Sequence, residues 1–177
     1  MTEIICAGYG GQGVLVAGHI LAFAGMLDGR KVTWYPSYGS EMRGGTANCN
    51  VKISDDEIAS PYAKHPDLLI SMNEVSLDKF EKMLKPGGVL VVNSSLCGAD
   101  RKFRDDIRVI KVPASEIANS QNNPKGTNIV MLGAAVAATG LFELETFTAA
   151  IDEFFARKGK TNPKNALCCR EGAACVK

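Results

Sequence analysis

Histidine and tryptophan are scarce in this sequence, and several cofactor motifs are missing from it. The chain of 177 residues has two histidines, one tryptophan and six cysteines. Iron–sulfur clusters require runs such as Cys-x-x-Cys, which do not occur here. The two histidines, His19 and His65, are too far apart and too isolated to suggest a metal site. The Gly-Asp-Gly that begins a thiamine diphosphate signature is also absent. We therefore expect no metal or cluster chemistry within this chain.

Neither charge nor hydropathy points to a nucleic acid or a membrane as partner. The formal net charge is +1 and the pI is about 7.6, which gives no electrostatic reason to expect either. The longest apolar stretch, 129–142, is interrupted by glycine and threonine and is shorter than the roughly 20 residues of a membrane-spanning helix. The N-terminal Met1-Thr2-Glu3 has no positive region typical of a signal peptide. We therefore expect a cytoplasmic protein.

Apolar segments with strand and helix character alternate along most of the chain. Glu3–Ala7 is a short apolar strand, and the Ala-rich segment Val14–Leu27 is predicted to be a helix. Lys31–Tyr35 has the composition of a second strand, and Thr46–Ile53 alternates apolar and polar residues, typical of an edge or antiparallel strand with one wet face. This order predicts an α/β fold: a three-layer, Rossmann-like, mostly parallel sheet with helices on both faces.

The size of the chain predicts a single domain over residues 1–177. Residues 159–177 show no hydrophobic periodicity, and we expect them to form a loose C-terminal tail. The spacing of Cys168, Cys169 and Cys175 matches no zinc or ferredoxin pattern. These three thiols are therefore predicted to be solvent-exposed.

The glycine turn Gly8-x-Gly10-x-x-Gly13 formally fits a dinucleotide-binding fingerprint. Such glycines allow a sharp turn and let a phosphate approach the amides at a helix N-terminus. NAD sites also need an acidic residue at the end of the second strand, but that strand is followed here by Pro36, which counts against NAD or FAD. A Walker loop is excluded because no Gly-Lys-Ser/Thr follows. Two interpretations stay open: the glycines only permit a tight turn, or their amides, with Gln12, hold an anion or a partner loop.

The segment 36–45, Pro-Ser-Tyr-Gly-Ser-Glu-Met-Arg-Gly-Gly, is predicted to be a loop at the carboxyl end of the second strand. Because ligands bind outside the carboxyl ends of strands in open α/β sheets, we expect this loop to neighbour the glycine turn. Arg43 can grip a carboxylate or phosphate with its planar guanidinium, and Glu41 can orient Arg43 or pair with a partner's cation. The alternative is a surface loop whose exposed ion pair contributes almost nothing to stability.

Together these two motifs resemble the gamma subunit of 2-oxoacid:ferredoxin (2-oxoacid:acceptor) oxidoreductases. The resemblance rests on Gly-x-Gly-Gly-Gln-Gly-Val at 8–14 and on Pro-Ser-Tyr-Gly-x-Glu-Met-Arg-Gly-Gly at 36–45. Shorter matches, such as Lys-Pro-Gly-Gly at 85–88, extend it through the Gly133 region and so over most of the chain. The second motif is most similar to versions from 2-oxoglutarate enzymes, with branched-chain 2-oxoacids next.

The resemblance implies a subunit of an enzyme complex rather than a solitary enzyme. In that family, alpha and beta subunits, with or without delta, decarboxylate a 2-oxoacid to its acyl-CoA and reduce ferredoxin. The complex uses thiamine diphosphate, magnesium, iron–sulfur clusters and coenzyme A. The isolated chain is then expected to bind no cofactor and to be inactive, while shaping the alpha interface and the coenzyme A environment; its own dimerisation stays open. The alternative is a stand-alone nucleotide- or coenzyme A-binding α/β protein.

The candidate contact residues come from the two motifs and from one helix start, and none is proposed to be catalytic. Asn128 begins an apolar helix, where capping together with Thr127 competes with a contact to a cofactor phosphate. The full set is Gly8, Gly10, Gly11, Gln12, Gly13, Tyr38, Glu41, Arg43, Gly44, Gly45 and Asn128.

Overall fold

A six-stranded sheet forms the centre of the fold in the computed structural model, which describes residues 1–38, 46–98 and 100–176. The strands lie in the order β2-β3-β1-β4-β5-β6. They are β1 (Thr2–Tyr9), β2 (Lys31–Tyr38), β3 (Thr46–Ser54), β4 (Leu68–Ser71), β5 (Val89–Asn93) and β6 (Arg108–Val112). The helices are α1 (Val14–Leu27), α2 (Glu74–Phe80), α3 (Ala114–Ser120), α4 (Thr127–Thr139), α5 (Leu144–Ala156) and α6 (Lys164–Ala174).

The sheet is mixed, with a parallel part and an antiparallel part. β1, β4, β5 and β6 pair in parallel, whereas β3 is antiparallel to both β1 and β2. Only residues 39–45 separate β2 from β3, too few for the crossover that a parallel pairing needs. The α/β class and the antiparallel character of β3 are thus confirmed. Three of the five strand pairings among the described residues are parallel, in agreement with the predicted mostly parallel sheet, and β3 lies inside the sheet rather than at its edge.

β2 is longer than predicted. It continues through Pro36 to Tyr38, so the first part of the predicted 36–45 loop belongs to a strand. Proline has no backbone N–H to donate, and it is tolerated here because β2 is the end strand of the sheet that the described residues form. Pro36 therefore did not mark the end of the strand.

Alternating side chains of the strands serve two separate apolar layers. Ile4 and Cys6 of β1 face one layer, built from α1, α3, α4, α5 and α6. Ile5 and Ala7 face the other, where α2 supplies Leu77 and Phe80 among its buried residues. A strand covered on both faces needs apolar residues at every position, which explains the unbroken apolar run of β1. The predicted three layers are present, with most helices on one face.

The polar face of β3 is not exposed to solvent, because the segment between β3 and β4 packs over it. Lys52 is buried, and its ammonium lies 2.8 Å from a Glu3 carboxylate oxygen on β1. Asn50 accepts a hydrogen bond of 3.0 Å from the backbone amide of Ala63, in the segment between β3 and β4. Because buried polar groups must be paired, this segment and the ion pair together allow polar residues on a covered face.

The predicted loose tail is wrong for most of its length, because residues 164–174 form α6. Cys168 and Cys169 are fully buried in the apolar layer against α4. Gly133 of α4 and Gly172 of α6 let the two backbones touch: a Cβ at Gly172 would lie 1.9 Å from the carbonyl oxygen of Val130. Small residues at a helix crossing leave no long apolar stripe in the sequence, so hydrophobic periodicity does not predict this helix.

Candidate functional site

The glycine turn joins β1 to α1 and is held together by the side chain of Gln12. Its amide oxygen accepts hydrogen bonds from the backbone N–H of Tyr9 at 2.7 Å and from the side-chain amide of Asn73 at 3.0 Å. The backbone N–H of Gln12 donates to the carbonyl of Tyr9 at 3.2 Å. Gln12 therefore braces the turn and ties it to the start of α2, where Asn73 is the N-cap.

Gly13, the N-cap residue immediately before α1, has a left-handed conformation with φ of 73°. Its carbonyl accepts two hydrogen bonds, from the backbone N–H of Ala17 at 2.9 Å and from the side-chain amide of Asn128 at 3.1 Å. The predicted role of Asn128 as a cap of its own helix is wrong, since α4 has no side-chain cap. Asn128 instead connects the start of α4 to the start of α1.

Gly8 and Gly10 have different surroundings. A Cβ at Gly8 would lie 2.6 Å from the Gln12 amide oxygen and 2.8 Å from Met72, so close packing requires glycine there. A Cβ at Gly10 would meet no atom within 4 Å among the described residues, and Gly10 is exposed. Packing thus accounts for Gly8 without a ligand, whereas a side chain at Gly10 would have room among the described residues.

The strand register brings the two sequence motifs to the same edge of the sheet. Ala47 of β3 pairs with Gly8 of β1 on one side and with Tyr38 of β2 on the other. β2 therefore ends at the same end of the sheet as the glycine turn, with β3 between the two. Of the second motif's candidates, Glu41, Arg43, Gly44 and Gly45 lie outside the described residues, as does the side chain of Tyr38.

A cavity of about 980 Å³ lies beyond the carboxyl ends of β1, β5 and β6. Gly11, Gln12, Gly13 and Asn128 line it among the predicted site residues, while Gly8 and Gly10 do not. The helix starts of α1, α4 and α6 all contribute lining residues. Ligands in open α/β sheets bind at this location, next to the point where connections diverge to opposite sides of the sheet.

Sequence reasoning missed the other wall of this cavity. Lys125 precedes α4, and Lys160, Asn162 and Asn165 come from the connection between α5 and α6 and from the first turn of α6. The side-chain amide of Asn123 donates to the Asn165 amide oxygen at 3.1 Å and links the two segments. Pro163, immediately before α6, was an available helix-start signal.

A pair of buried cysteines lies beneath α1 and does not line the cavity. Cys6 and Cys49 are register partners on β1 and β3. The pKa of the Cys6 thiol is raised well above its usual range by its hydrogen bond to Cys49 and by burial. The pKa of Cys49 is lowered chiefly by its hydrogen bond with Cys6, against the opposing effect of burial. These thiols pack the layer under α1.

Over the described ranges 1–38, 46–98 and 100–176, no group of three or more His, Cys, Asp or Glu side chains could hold a metal ion. Within the same residues, the helices are too short or too polar to cross a bilayer. The fit to an organic anion is better, because the cavity offers helix starts, amide groups and lysines.

The fold and the cavity together define a Rossmann-like α/β protein with a ligand-sized cleft at the carboxyl edge of its sheet. The chain belongs to the family described as pyruvate ferredoxin/flavodoxin oxidoreductase, which matches residues 3–175.

Relatives of this chain carry the names of subunits of 2-oxoacid oxidoreductases. It is 41% identical over 174 residues to the ketoisovalerate oxidoreductase subunit VorA of Methanothermobacter marburgensis, covering 97% of this chain and 36% of that protein. It thus spans about a third of the length of that relative. It is 37% identical to the 2-oxoglutarate synthase subunit KorC of Methanocaldococcus jannaschii, covering 96% of this chain and 91% of that protein.

A solved structure with the same fold is the keto/oxoacid ferredoxin oxidoreductase gamma subunit from Geobacter sulfurreducens. Its TM-score is 0.80 at 30% sequence identity, and the match covers 99% of this chain and 98% of that chain. The resemblance to gamma subunits inferred from the two sequence motifs is confirmed.

Proposed function

We propose that this chain is the gamma subunit of a thiamine diphosphate and iron–sulfur 2-oxoacid:ferredoxin oxidoreductase. The complex would oxidatively decarboxylate a 2-oxoacid to its acyl-CoA and pass the electrons to ferredoxin. The observation that carries this proposal is the match to a gamma-subunit structure over nearly the full length of both chains. Alpha and beta subunits, with or without delta, would then supply the catalytic cofactors.

We propose 2-oxoglutarate as the substrate of this complex. The supporting relative is KorC, a 2-oxoglutarate synthase subunit that is matched over 91% of its length. VorA, named for ketoisovalerate, corresponds to this chain over only 36% of its own length. Branched-chain 2-oxoacids are the next candidates.

Within the complex, we propose that the chain shapes the alpha interface and the coenzyme A environment. Arg43 and the amides of Gly10 to Gly13 would form a wall that faces an anion. Two observations support this arrangement: α1 starts without a side-chain cap, and β2 ends at the same end of the sheet as the glycine turn, one strand away from β1.

The first experiment is a native pull-down of the tagged full-length chain from its own cells, followed by mass spectrometry and dye-reduction assays. We expect an alpha and beta pair, bound iron, and coenzyme A-dependent dye reduction with 2-oxoglutarate at a higher kcat/KM than with pyruvate or 2-oxoisovalerate. Recovery of the chain without these subunits contradicts the assignment. A higher kcat/KM with another 2-oxoacid contradicts the substrate alone.

A second experiment concerns Arg43. In the reconstituted complex, Arg43→Ala should weaken coenzyme A use or assembly. Arg43→Lys should recover only part of this loss, because an ammonium cannot make the two parallel hydrogen bonds of a guanidinium. Unchanged coenzyme A KM and unchanged complex stability in Arg43→Ala would remove Arg43 from the proposed wall.

A further inference from the structure

Two buried cysteines face each other across neighbouring strands, beneath α1 and away from the lining of the cavity. Cys6 of β1 and Cys49 of β3 are directly opposite in an antiparallel pairing, and both are fully buried. Residues opposite each other in such a pairing have Cα atoms about 4.5 or 5.5 Å apart, and both values lie within the roughly 4.4–6.8 Å that a disulfide spans. The backbone therefore holds these two residues at the spacing of a disulfide.

The other two fully buried cysteines lack this arrangement. Cys168 and Cys169 are adjacent in α6, and adjacent residues of a helix do not face each other. The side-chain amide of Asn123 donates a hydrogen bond of 3.6 Å to the Cys168 sulfur. The Thr148 hydroxyl donates one of 3.6 Å to the Cys169 sulfur. The two sulfurs of α6 thus have separate partners, whereas those of β1 and β3 have each other.

The thiols of Cys6 and Cys49 differ in how readily they lose a proton. Their shared hydrogen bond lowers the pKa of Cys49 and, together with burial, raises the pKa of Cys6 well above its usual range. Because the thiolate and not the thiol attacks an oxidant, Cys49 is the sulfur that reacts first. Cys6 keeps its proton and lies next to the product of that reaction.

The Cys49 side chain also contacts the start of α1. Its thiol donates a hydrogen bond of 3.6 Å to the carbonyl of Val14, the first residue of that helix. A Cβ at Gly18 would overlap the Cys49 sulfur, so this sulfur fills the space beside the helix. A disulfide has no S–H to donate, and its formation would draw the sulfur towards Cys6. The bond would therefore remove the contact to Val14.

We propose that Cys6 and Cys49 form a reversible disulfide when the chain meets a hydroperoxide, and that this bond loosens the start of α1. Both sulfurs are buried, so a small neutral oxidant such as hydrogen peroxide has to enter through a transient opening of the packing. The modification involves neither the cavity nor the other subunits of the proposed complex, and it goes beyond the proposed function.

The reaction has two steps. The Cys49 thiolate attacks one oxygen of hydrogen peroxide and the O–O bond breaks, which gives a sulfenic acid and a hydroxide that takes up the proton lost by the thiol. The Cys6 sulfur then attacks the Cys49 sulfur, the S–O bond breaks, and water leaves with the Cys6 proton. The two thiols are oxidised to a disulfide, and the peroxide is reduced to two water molecules. A dithiol reductant reverses the bond by thiol–disulfide exchange.

Peroxide treatment of the reduced full-length chain, followed by mass spectrometry of peptides prepared without reductant, tests the bond. We expect a cross-linked peptide pair that contains Cys6 and Cys49, is lighter by two hydrogen atoms and is separated by dithiothreitol. Cys168 and Cys169 are the internal control and should form no bond with each other. No Cys6–Cys49 product, after an exposure long enough to oxidise the half-buried Cys97, would overturn the proposal.

Unfolding the chain before the treatment tests whether the strand register selects the pair. In urea the register is lost, so the preference for the Cys6–Cys49 product should disappear. The same preference in the folded and the unfolded chain would contradict the role of the register.

Single variants separate the roles of the two sulfurs. In Cys6→Ser, Cys49 should stop at the sulfenic acid, which dimedone labels, whereas in Cys49→Ser the Cys6 thiol should stay unlabelled. Cys97→Ser combined with Cys175→Ser removes the two half-buried thiols and should leave the cross-link of the parent unchanged. Thermal unfolding verifies that the variants are folded, and the parent result decides the bond if one is not. Labelling of Cys6 in Cys49→Ser would contradict the order of attack.

Amide hydrogen exchange of the reduced and the oxidised chain measures the effect on α1. We expect faster exchange in the peptide that covers residues 13–18 once the bond has formed, and unchanged exchange in α6. Unchanged or slower exchange at residues 13–18 would overturn the coupling to α1, whatever mass spectrometry shows for the bond itself.

Discussion

At the scale of single residues, Gly13 is the position where backbone conformation and packing coincide. Its φ of 73° suits glycine, and a Cβ there would lie 2.6 Å from the Asn128 amide nitrogen. Gly13→Ala should therefore lower the free energy of unfolding by about 1–2 kcal/mol from the left-handed backbone alone, with a further loss from the displaced Asn128.

Gly10→Ala is the matched control, because its added methyl would meet no atom within 4 Å among the described residues. We expect this change to stay within about 0.5 kcal/mol of the parent in urea unfolding. Equal stability of both variants would contradict the role of Gly13 in joining α1 to α4.

His19 makes stability depend on pH through its surroundings. Its ring stacks on Trp34 at 4.8 Å and meets Phe154 edge-on at 5.0 Å. Burial, and then the charge of Lys158, lower the pKa of His19 below its ordinary value of 6.5. The unfolded chain therefore binds the proton more readily, so this contribution is complete above the unfolded pKa and is lost as pH falls through the folded pKa.

His19→Phe retains an aromatic ring and removes the titration. We expect the free energy of unfolding to fall less steeply between pH 7 and pH 5 in this variant, measured by urea unfolding at each pH. A separate Lys158→Met variant, which retains His19, should have a higher His19 pKa, and NMR titration can measure it. An identical pH slope with His19→Phe would show that the ring does not couple protonation to folding.

At the scale of elements, the sequence predicted those whose own residues carry a strong pattern. The predicted helix Val14–Leu27 has the same bounds in the structure, because an Ala-rich apolar segment between glycines has clear ends. β1 could also be predicted from its sequence, since both of its faces pack against apolar layers and its central residues are therefore apolar. Local signals sufficed where the tertiary environment reinforced them.

The elements missed were those that depend on distant partners. α6 is held by backbone contact at Gly133 and Gly172, which is not visible in its own sequence. The alternation of residues in β3 predicts that Lys52 is exposed. The structure shows it buried, because it forms an ion pair with Glu3 of the neighbouring strand. The glycine turn of the candidate site could be predicted because its residues are adjacent in the sequence. Lys125 and Lys160 could not, because they are far apart in the sequence and line one cavity only when α6 packs on α4.

The packing of α4 on α6 gives a prediction at this scale. The methyl group of Gly172→Ala would clash with the carbonyl oxygen of Val130, and this backbone oxygen cannot move unless α4 shifts. We expect a loss of about 3 kcal/mol or more in the free energy of unfolding, at the upper end of overpacking effects. Ala174→Ser, at an exposed position of the same helix, should stay within about 0.5 kcal/mol. A mild effect of Gly172→Ala would mean that α6 is free to separate from α4.

At the scale of the whole molecule, the six free cysteines report how the chain unfolds. Cys6, Cys49, Cys168 and Cys169 are buried, whereas Cys97 and Cys175 are half-buried. Burial raises the pKa of Cys97 to about 11 and also raises that of Cys175, so few thiolates are present near neutral pH. The prediction that Cys168, Cys169 and Cys175 are exposed is wrong, because the first two are fully buried and Cys175 is half-buried.

The buried thiols lie at opposite ends of the chain, yet they belong to one apolar layer. If that layer opens as a unit, Cys6 and Cys49 should react with a thiol reagent at the same rate as Cys168 and Cys169, and only as fast as the protein unfolds. Mass spectrometry of the labelled peptides over a range of urea concentrations measures each rate, with Cys97 and Cys175 as the faster internal reference. Faster labelling of Cys168 and Cys169 would instead show that α6 unfolds locally before the sheet does. The cavity wall that contains Lys160 would then be less stable than the glycine turn.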